Sequence, residues 1–303
     1  MRTRHVLALL ALLALPLVAE AQSFPYKLSN AGDSLSQGFA ADGFLPADEP
    51  WNSWVQGVNP SVDSIFLRLR RRNPFLLLQP ESRSGAAMIR DFADQAARIC
   101  AQRWRPNRVY VFLGQNDVCS SARSATADAA ASLPSVDELL AGARAGLDRL
   151  ALCLPRGSVV QVVSMVRVDF LYDAGLAKNL FYCPAVWQAF DICRIVTAEQ
   201  DPGRRARIGE RVDAWNGALA AEVRAYDANA NGRNARLLRF VSDWEGSIAE
   251  GRRDTSVGSH EFGPGDIDAL DCFHASLAGQ RKIACVEWAK SPDGSGSAPA
   301  CFQ

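Results

Sequence analysis

The sequence lacks the signals that would assign it to several large classes of protein. Its 33 lysines and arginines balance its 33 aspartates and glutamates, so the formal net charge is zero and no strong field favours a nucleic-acid partner. It contains no P-loop, no H-E-x-x-H and no G-x-G-x-x-G, so phosphate-loop, zincin and dinucleotide chemistry have no support. It also contains no G-x-S-x-G, which argues against the nucleophile elbow of the α/β-hydrolase fold. With 48% hydrophobic residues, the composition is otherwise that of an ordinary globular protein.

Long apolar runs are scarce as well. Beyond residue 21, no apolar stretch reaches the roughly 18–20 residues that a membrane-spanning helix requires. The first 21 residues carry two arginines, an apolar run at Val6–Val18 and an A-x-A site at Ala19–Ala21. This order is typical of a signal peptide over residues 1–21, so we expect a mature chain that begins at Gln22 and is secreted or periplasmic. An uncleaved membrane anchor is the alternative.

Histidine is also rare, whereas cysteine is not. An even number of cysteines in an exported chain predicts a disulfide framework. A zinc site is the competing interpretation, but the chain has no C-x-x-C pair and only three histidines. The disulfide candidates, whose pairing the sequence does not determine, are Cys100, Cys119, Cys153, Cys183, Cys193, Cys272, Cys285 and Cys301.

Compact apolar runs alternate with stretches of helical periodicity along the chain. The predicted strands are Lys27–Asn30, Phe75–Gln79, Val109–Leu113, Ser158–Val168 and Leu237–Val241. The predicted helices are Ala86–Cys100, Val136–Cys153, Arg204–Tyr226 and Ser276–Lys290. This alternation predicts an α/β fold in which helices cover both faces of a parallel sheet.

The domain organisation follows from the same pattern. No shift in composition marks a boundary, so we expect one domain over residues 22–303. The stretch 169–203, which carries Cys183 and Cys193, is the least regular and is predicted to be an irregular insertion over the sheet.

Four polar clusters coincide with the ends of predicted strands or precede the last helix. They are Gly32–Ser36, Ser82–Gly85, Gly114–Asp117 and Asp271–His274. Because ligands bind outside the carboxyl ends of strands in an open parallel sheet, we expect the fold to bring these clusters together.

The clusters contain the parts of a nucleophilic site. A serine hydroxyl needs an adjacent base, and only His260 and His274 lie beyond residue 21. His274 stands three residues after Asp271, so a tight turn would let the carboxylate orient the ring. His260 is the rival base, but its surroundings are rich in glycine and serine and indicate an exposed loop. Ser34 is the candidate nucleophile.

The motifs resemble those of a known family. G-D-S-L around Ser34, Ser-Gly at 84–85, G-x-N-D at 114–117 and D-x-x-H at 271–274 stand in the order of the four blocks of bacterial secreted SGNH/GDSL hydrolases. The sequence is similar to the phospholipase B-like branch of that family over about residues 28–290. The resemblance implies a three-layer, flavodoxin-like α/β/α fold with about five parallel strands, and neither a metal nor a cofactor.

The resemblance also implies roles for single residues. Ser34, Asp271 and His274 would form the catalytic triad of an ester hydrolase that works through an acyl-serine intermediate. The backbone N–H groups of Ser34 and Gly85 and the side-chain amide of Asn116 would form the oxyanion hole. Two acidic side chains would support the site or cap a helix rather than react: Asp33 and Asp117.

The substrate is less well defined by the sequence. Lipid esters fit the resemblance, whereas O-acetyl groups on a carbohydrate fit the same catalytic parts, and a non-catalytic binding protein is a further alternative. Gln115 departs from the small residue that family members often have, so it could narrow or polarise the pocket. The arginines at 68 and 70–72 could contact anionic lipid headgroups transiently, although a solvated helix end is the simpler interpretation. We expect a monomer.

Two hypotheses on disulfides follow from the positions of the cysteines. Cys119 and Cys272 adjoin two of the predicted catalytic clusters, and a disulfide from either one to Cys183 or Cys193 would brace the site. Two further cysteines end the helices predicted over Ala86–Cys100 and Val136–Cys153, and they could pair with each other. The rival hypothesis for Cys119 is that it acts as a nucleophile.

Overall fold

Five parallel strands form a single sheet in the computed structural model of the protein. The structure describes residues 24–120, 129–244, 246 and 262–294; the predicted signal peptide, His260 and Cys301 lie outside the described residues. The strands are β1 (Lys27–Gly32), β2 (Leu77–Leu78), β3 (Arg108–Phe112), β4 (Val159–Val162) and β5 (Arg239–Ser242). Their order is β2-β1-β3-β4-β5, and every neighbouring pair is parallel. The predicted fold class is therefore confirmed.

The helices alternate with the strands along the chain. They are α1 (Ile65–Arg72), α2 (Met88–Ala101), α3 (Gln115–Cys119), α4 (Val136–Cys153), α5 (Val168–Lys178), α6 (Tyr182–Ala189), α7 (Arg194–Thr197), α8 (Pro202–Asp227) and α9 (Leu277–Lys290). Every residue of β1, β3 and β4 is buried, as expected of strands that are covered on both faces. Within the described residues, no helix combines the length and the apolarity needed to cross a bilayer.

Helices α2 and α4 pack against each other at very short range. A Cβ added to Gly142 of α4 would lie 2.6 Å from the Cα of Ile89, and one added to Gly146 would lie 2.2 Å from the ring of Phe92. The absence of side chains at these two glycines therefore allows the two backbones to approach. A disulfide between Cys100 and Cys153 joins the C-terminal ends of the same helices, which is the pairing that their positions suggested.

The predicted irregularity of residues 169–203 is wrong. Three short helices, α5, α6 and α7, occupy most of this stretch. Their local patterns are weak: α5 buries the polar Asp169 as well as Val168 and Leu171, and α6 and α7 are only eight and four residues long. A polar residue among the buried positions, or a helix of one or two turns, leaves little amphipathic period to recognise.

Two strand predictions were too long. β4 ends at Val162, and the apolar residues that follow it are buried without belonging to a strand, until α5 begins at Val168. β2 contains only Leu77 and Leu78, because it lies at the edge of the sheet and has one neighbour. After β4 the apolar run marks burial that extends beyond the hydrogen-bonded ladder, whereas at β2 the run contains exposed residues such as Phe75, which is 87% exposed.

The arginine cluster lies at the end of α1. Arg68 and Arg71 both pair with Asp63, at 2.9 and 2.7 Å, and the guanidinium of Arg72 lies over the ring of Trp288. Contact of this cluster with lipid headgroups stays a prediction.

Candidate active site

The candidate active site lies at the carboxyl ends of β1 and β3. The strand order reverses between these two strands, which is where open α/β sheets leave a crevice for a ligand. Ser34 follows the last residue of β1 by two positions. Asn116 is the second residue of α3, which begins just beyond β3. The topology thus brings two of the four predicted clusters side by side.

A buried glutamine fixes the end of β1. The Gln95 side chain accepts a hydrogen bond from the Gly32 N–H at 2.7 Å and donates one to the Gly32 carbonyl at 2.9 Å. Gly32 has no room for a side chain, since a Cβ there would lie 2.2 Å from the Ser36 hydroxyl oxygen. The turn that carries Ser34 is therefore held by α2 as well as by its own strand.

The serine, the histidine and the aspartate form a hydrogen-bonded chain. His274 Nε2 lies 2.9 Å from Ser34 Oγ, and His274 Nδ1 lies 2.5 Å from Asp271 Oδ2. The other oxygen of Asp271 accepts from the backbone N–H groups of Phe273 and His274, at 2.8 and 2.9 Å. The D-x-x-H spacing thus closes a turn in which one carboxylate binds both the backbone and the ring.

The charges in this chain stabilise one another. Burial alone would lower the pKa of His274, but the neighbouring Asp271 carboxylate outweighs burial and raises the pKa above its ordinary value. Burial likewise opposes ionisation of Asp271, yet the charge and hydrogen bond of His274 hold its pKa well below its usual range. This arrangement favours an imidazolium paired with a carboxylate, which is the state that forms when a serine loses its proton to the ring.

Asp33 is buried beside the nucleophile. Its Oδ1 accepts a hydrogen bond from the Leu35 N–H at 3.0 Å, and its Oδ2 meets no donor among the described residues. Burial raises the pKa of Asp33 to about 7, although the Leu35 hydrogen bond and the charge of His274 oppose the rise. Asp33 therefore shapes the turn and the local field.

Two contacts that sequence reasoning missed hold the histidine side of the site. Gln280 of α9 is fully buried; it accepts from the Trp54 N–H at 2.9 Å and donates to the Leu35 carbonyl at 3.1 Å. The ring of Phe39 lies 4.7 Å, between centroids, from the ring of His274. These contacts link the last helix to the turn that carries Ser34.

The predicted oxyanion donors come from three separate segments of the chain. The backbone N–H groups of Ser34 and Gly85 donate no hydrogen bond within the described part of the chain. Gly85 has a φ of +80°, and a Cβ there would meet open space. Asn116 Nδ2 donates to the Ala86 carbonyl at 2.9 Å, which uses one of its two amide hydrogens. Asn116 lines the cavity described below, whereas Gly85 is not among its lining residues.

Asp117 caps the helix that follows Gly85. Its two carboxylate oxygens accept from the N–H groups of Met88 and Ile89, at 2.6 and 3.1 Å. The residue at the N-cap of α2 is Ala87, which has no side-chain acceptor of its own. Asp117 therefore ties the segment that carries Gly85 to the segment that carries Asn116.

Disulfides fasten the stretch 169–203 to both sides of the site. Cys119, at the end of α3, pairs with Cys193, and Cys272, two residues before the histidine, pairs with Cys183. Both pairings agree with the hypothesis that the insertion braces the site, and Cys119 is not a free nucleophile. Cys285 is also disulfide-bonded.

A cavity of about 180 Å³ opens beside Ser34 and His274. Most of its wall is apolar. The apolar part comes mainly from the segment after β4, the stretch 169–203 and the segment before α9. Its apolar lining includes Val166, Val168, Leu171, Ile192, Phe262, Ile267 and Phe273. The Cys119–Cys193 disulfide also lines the cavity.

Gln115 introduces polarity into this wall. Its side chain is 7% exposed and lines the cavity, and neither its amide nitrogen nor its amide oxygen has a hydrogen-bond partner among the described residues. A buried, unpartnered amide is costly to a fold unless a ligand satisfies it. The expectation that Gln115 polarises the pocket agrees with this position.

The chain is similar to known proteins over most of its length. Residues 28–285 match the family described as GDSL-like Lipase/Acylhydrolase. No curated protein matches the chain. One similar solved structure is a carbohydrate esterase whose active site is described as displaying "divergent catalytic and non-catalytic binding functions". It has 11% sequence identity and a TM-score of 0.40, with 86% of this chain covered, and the chain spans 62% of the length of that esterase chain.

Proposed function

Because the chain belongs to the GDSL-like lipase/acylhydrolase family, we propose that it hydrolyses carboxylic esters through an acyl intermediate on Ser34. The observation that carries this proposal is the hydrogen-bonded chain from Ser34 Oγ through the His274 ring to Asp271, next to a largely apolar cavity. This geometry is what an unactivated hydroxyl needs to become a nucleophile.

The first half of the reaction forms the acyl-enzyme. Ser34 Oγ attacks the ester carbonyl carbon while His274 Nε2 takes the serine proton, and Asp271 stabilises the imidazolium. The carbonyl oxygen becomes an oxyanion, which the N–H groups of Ser34 and Gly85 and the amide of Asn116 would stabilise. The carbon–oxygen bond to the leaving alcohol then breaks, and the alcohol takes the proton from His274.

The second half returns the enzyme to its starting state. Water attacks the acyl-Ser34 carbonyl carbon, and His274 removes a proton from that water. The bond to Ser34 Oγ then breaks, the serine takes the proton back, and the carboxylic acid leaves. Across both halves of the reaction, each proton passes through His274, from Ser34 to the alcohol and then from water back to Ser34.

The cavity supports a proposal for the substrate class. Its wall would favour an apolar acyl group. A volume of about 180 Å³ is smaller than the roughly 300–1,000 Å³ of sites that enclose a whole drug-sized ligand, so it would hold the acyl end of a substrate rather than all of it. We therefore propose lipid or other carboxylic esters with an acyl chain longer than acetyl, with any further chain extending out of the cavity.

We also propose that the enzyme acts outside the cytoplasm. The three disulfides between described cysteines are compatible with an extracellular or periplasmic location. The predicted signal peptide over residues 1–21 supports the same location.

Covalent labelling tests the reaction class. A fluorophosphonate probe should label the wild-type protein, because the probe traps a serine that an adjacent base has activated. Ser34→Ala should abolish labelling, whereas Ser61→Ala, which changes an exposed serine elsewhere, should label normally. Unchanged labelling of Ser34→Ala, or no labelling of a folded wild-type protein, would reject Ser34 as the nucleophile.

A chain-length series of aryl esters tests the substrate class. The ratio kcat/KM should rise from acetyl to longer acyl groups, because each added methylene that enters the cavity contributes about 0.8 kcal/mol of burial. An optimum above about eight carbons would favour lipolysis. Activity confined to acetyl esters would instead favour carbohydrate de-acetylation and would contradict the proposed substrate.

A further inference from the structure

A second aspartate, Asp268, contacts the backbone of both Asp271 and His274. Asp268 is 1% exposed, and its Oδ1 accepts hydrogen bonds from the N–H groups of Leu270 and Asp271, at 2.6 and 2.9 Å. Its own backbone N–H donates to the His274 carbonyl at 2.8 Å. Asp268 therefore closes the loop that presents both Asp271 and His274.

The second oxygen of Asp268 is the unusual feature. Oδ2 is buried and meets no hydrogen-bond donor among the described residues. The side chain of Asp271 is in hydrogen-bonding contact with that of Asp268, and its charge also acts on Asp268. Two carboxylates in contact repel each other when both are ionised, so a buried pair of this kind retains one proton.

In the described part of the chain, two titratable side chains that reach this loop from other elements bond to its backbone rather than to the Asp268 carboxyl. Lys178 of α5 reaches the same loop, but its ammonium donates to the carbonyls of Pro264 and Ile267, each at 2.9 Å. The hydroxyl of Tyr182 in α6 donates to the Leu270 carbonyl at 2.9 Å. The His274 ring, on the same loop, interacts with the charges of Asp268 and of Asp33, which directly follows β1.

We propose that Asp268 is a positioning residue that retains its proton in the neutral range and donates its O–H to the Asp271 carboxylate. Asp271 would then be fixed from two sides, by the Asp268 hydroxyl and by the His274 ring. The proposal rests on the function proposed above, since the orientation of His274 matters only if the ring serves Ser34.

The electrostatics of the pair support this assignment. Burial, together with the hydrogen bond and the charge of Asp271, raises the pKa of Asp268 to about 8. The contact with Asp268 is also one of the causes that keep the pKa of Asp271 low. The pair therefore divides its protons unequally, with Asp268 neutral and Asp271 ionised.

A consequence for the pH dependence follows. Above about pH 8, Asp268 would lose its proton, and the hydrogen bond to Asp271 would become a repulsion. The carboxylate that orients His274 would be displaced, so turnover should fall on the alkaline side. Asparagine at this position stays neutral at every pH, accepts the two backbone N–H bonds and donates to Asp271.

The test compares pH profiles of turnover with a soluble aryl ester. Wild-type kcat should fall more than about tenfold between pH 7 and pH 9.5, because roughly one molecule in thirty keeps the proton there. Asp268→Asn should lose less than about threefold over the same range, with kcat at pH 7 within about threefold of wild type and KM unchanged. Asp266→Asn, a control on the same loop that breaks the ion pair with Lys282, should follow the wild-type profile.

Two outcomes would overturn the proposal. One is an Asp268→Asn profile parallel to that of wild type. The other is a folded Asp268→Asn with kcat more than about tenfold below wild type at pH 7, which would mean that the negative charge is required.

A second measurement needs neither the variant nor a substrate. Carbon-13 NMR of the wild-type protein should show the Asp268 side-chain carboxyl titrating near pH 8, and titration below about pH 5 would also overturn the proposal. Because this experiment does not depend on ester hydrolysis, its result is separate from the failure or success of the proposed reaction.

Discussion

At the scale of single residues, the site depends on side chains that serve the structure and the chemistry together. Asn116 donates to the Ala86 carbonyl and also lines the cavity beside Ser34. Asp271 binds two backbone N–H groups with one oxygen and the His274 ring with the other. In both cases the contact with the backbone fixes the direction of the group that would act on the substrate.

Replacement of Asn116 tests the oxyanion hole. Asn116→Ala should lower kcat by about 100- to 1,000-fold with little change in KM, because the lost donor acts mainly on the transition state. The labelling rate with the fluorophosphonate probe should fall in parallel. Ser61→Ala provides the control for expression and folding. A loss smaller than about threefold would exclude the amide as an oxyanion donor.

Sequence reasoning found the site residues that belong to recognisable motifs, and it missed residues whose importance shows only in a distant partner. Asp271 and His274 are three positions apart, so their turn is visible as a motif. Gln95 binds a residue 63 positions away, and Gln280 binds residues 226 and 245 positions away. No local pattern distinguishes a glutamine with such a partner from one that is exposed to water.

At the scale of secondary structure, α2 and α4 show what local periodicity can predict. They were predicted within one or two residues of their ends, since their apolar positions recur at helical spacing. The three helices α5, α6 and α7 were missed, because α5 buries a polar residue among its apolar ones and the other two helices are only eight and four residues long. Disulfides also tie this stretch to other elements. Tertiary contacts, rather than local periodicity, determine that part of the fold.

A pair of glycine substitutions tests the close packing of α2 on α4. Gly142→Ala should destabilise the fold by about 1–3 kcal/mol, since the new methyl would lie 2.6 Å from a backbone atom of Ile89. Gly217→Ala in α8 is the matched control, because a Cβ there meets no atom closer than 3.7 Å. It should stabilise by up to about 1 kcal/mol through helix propensity. Urea unfolding of both variants measures the difference, and an unaffected Gly142→Ala would contradict the described contact.

At the scale of the whole molecule, the site concentrates buried acids that hold protons in the folded state. Burial raises the pKa of Asp33 to about 7 and that of Asp268 to about 8, whereas both would be near 4 in the unfolded chain. The pKa of His274 is also raised, so this ring too binds its proton more tightly in the folded state than in the unfolded chain. The opposite shift of Asp271 contributes stability that is lost only as the pH falls below about 4.

The free energy of unfolding should therefore decrease as the pH rises from about 5 to about 8.5. Between these values the folded protein binds more protons than the unfolded chain, and each such proton changes the free energy by about 1.4 kcal/mol per pH unit. Urea unfolding at intervals of one pH unit measures the slope. Asp268→Asn should show a shallower slope than wild type, and a stability that rises across this range would contradict the burial of these acids.

The 240 positions that separate Ser34 from His274 also have a consequence for the order of synthesis. A ribosome makes the nucleophile 240 residues before it makes the ring. The growing polypeptide therefore carries an inert hydroxyl, and hydrolytic competence arises only after the last helix has emerged and Gln280 has docked on the turn beside Ser34.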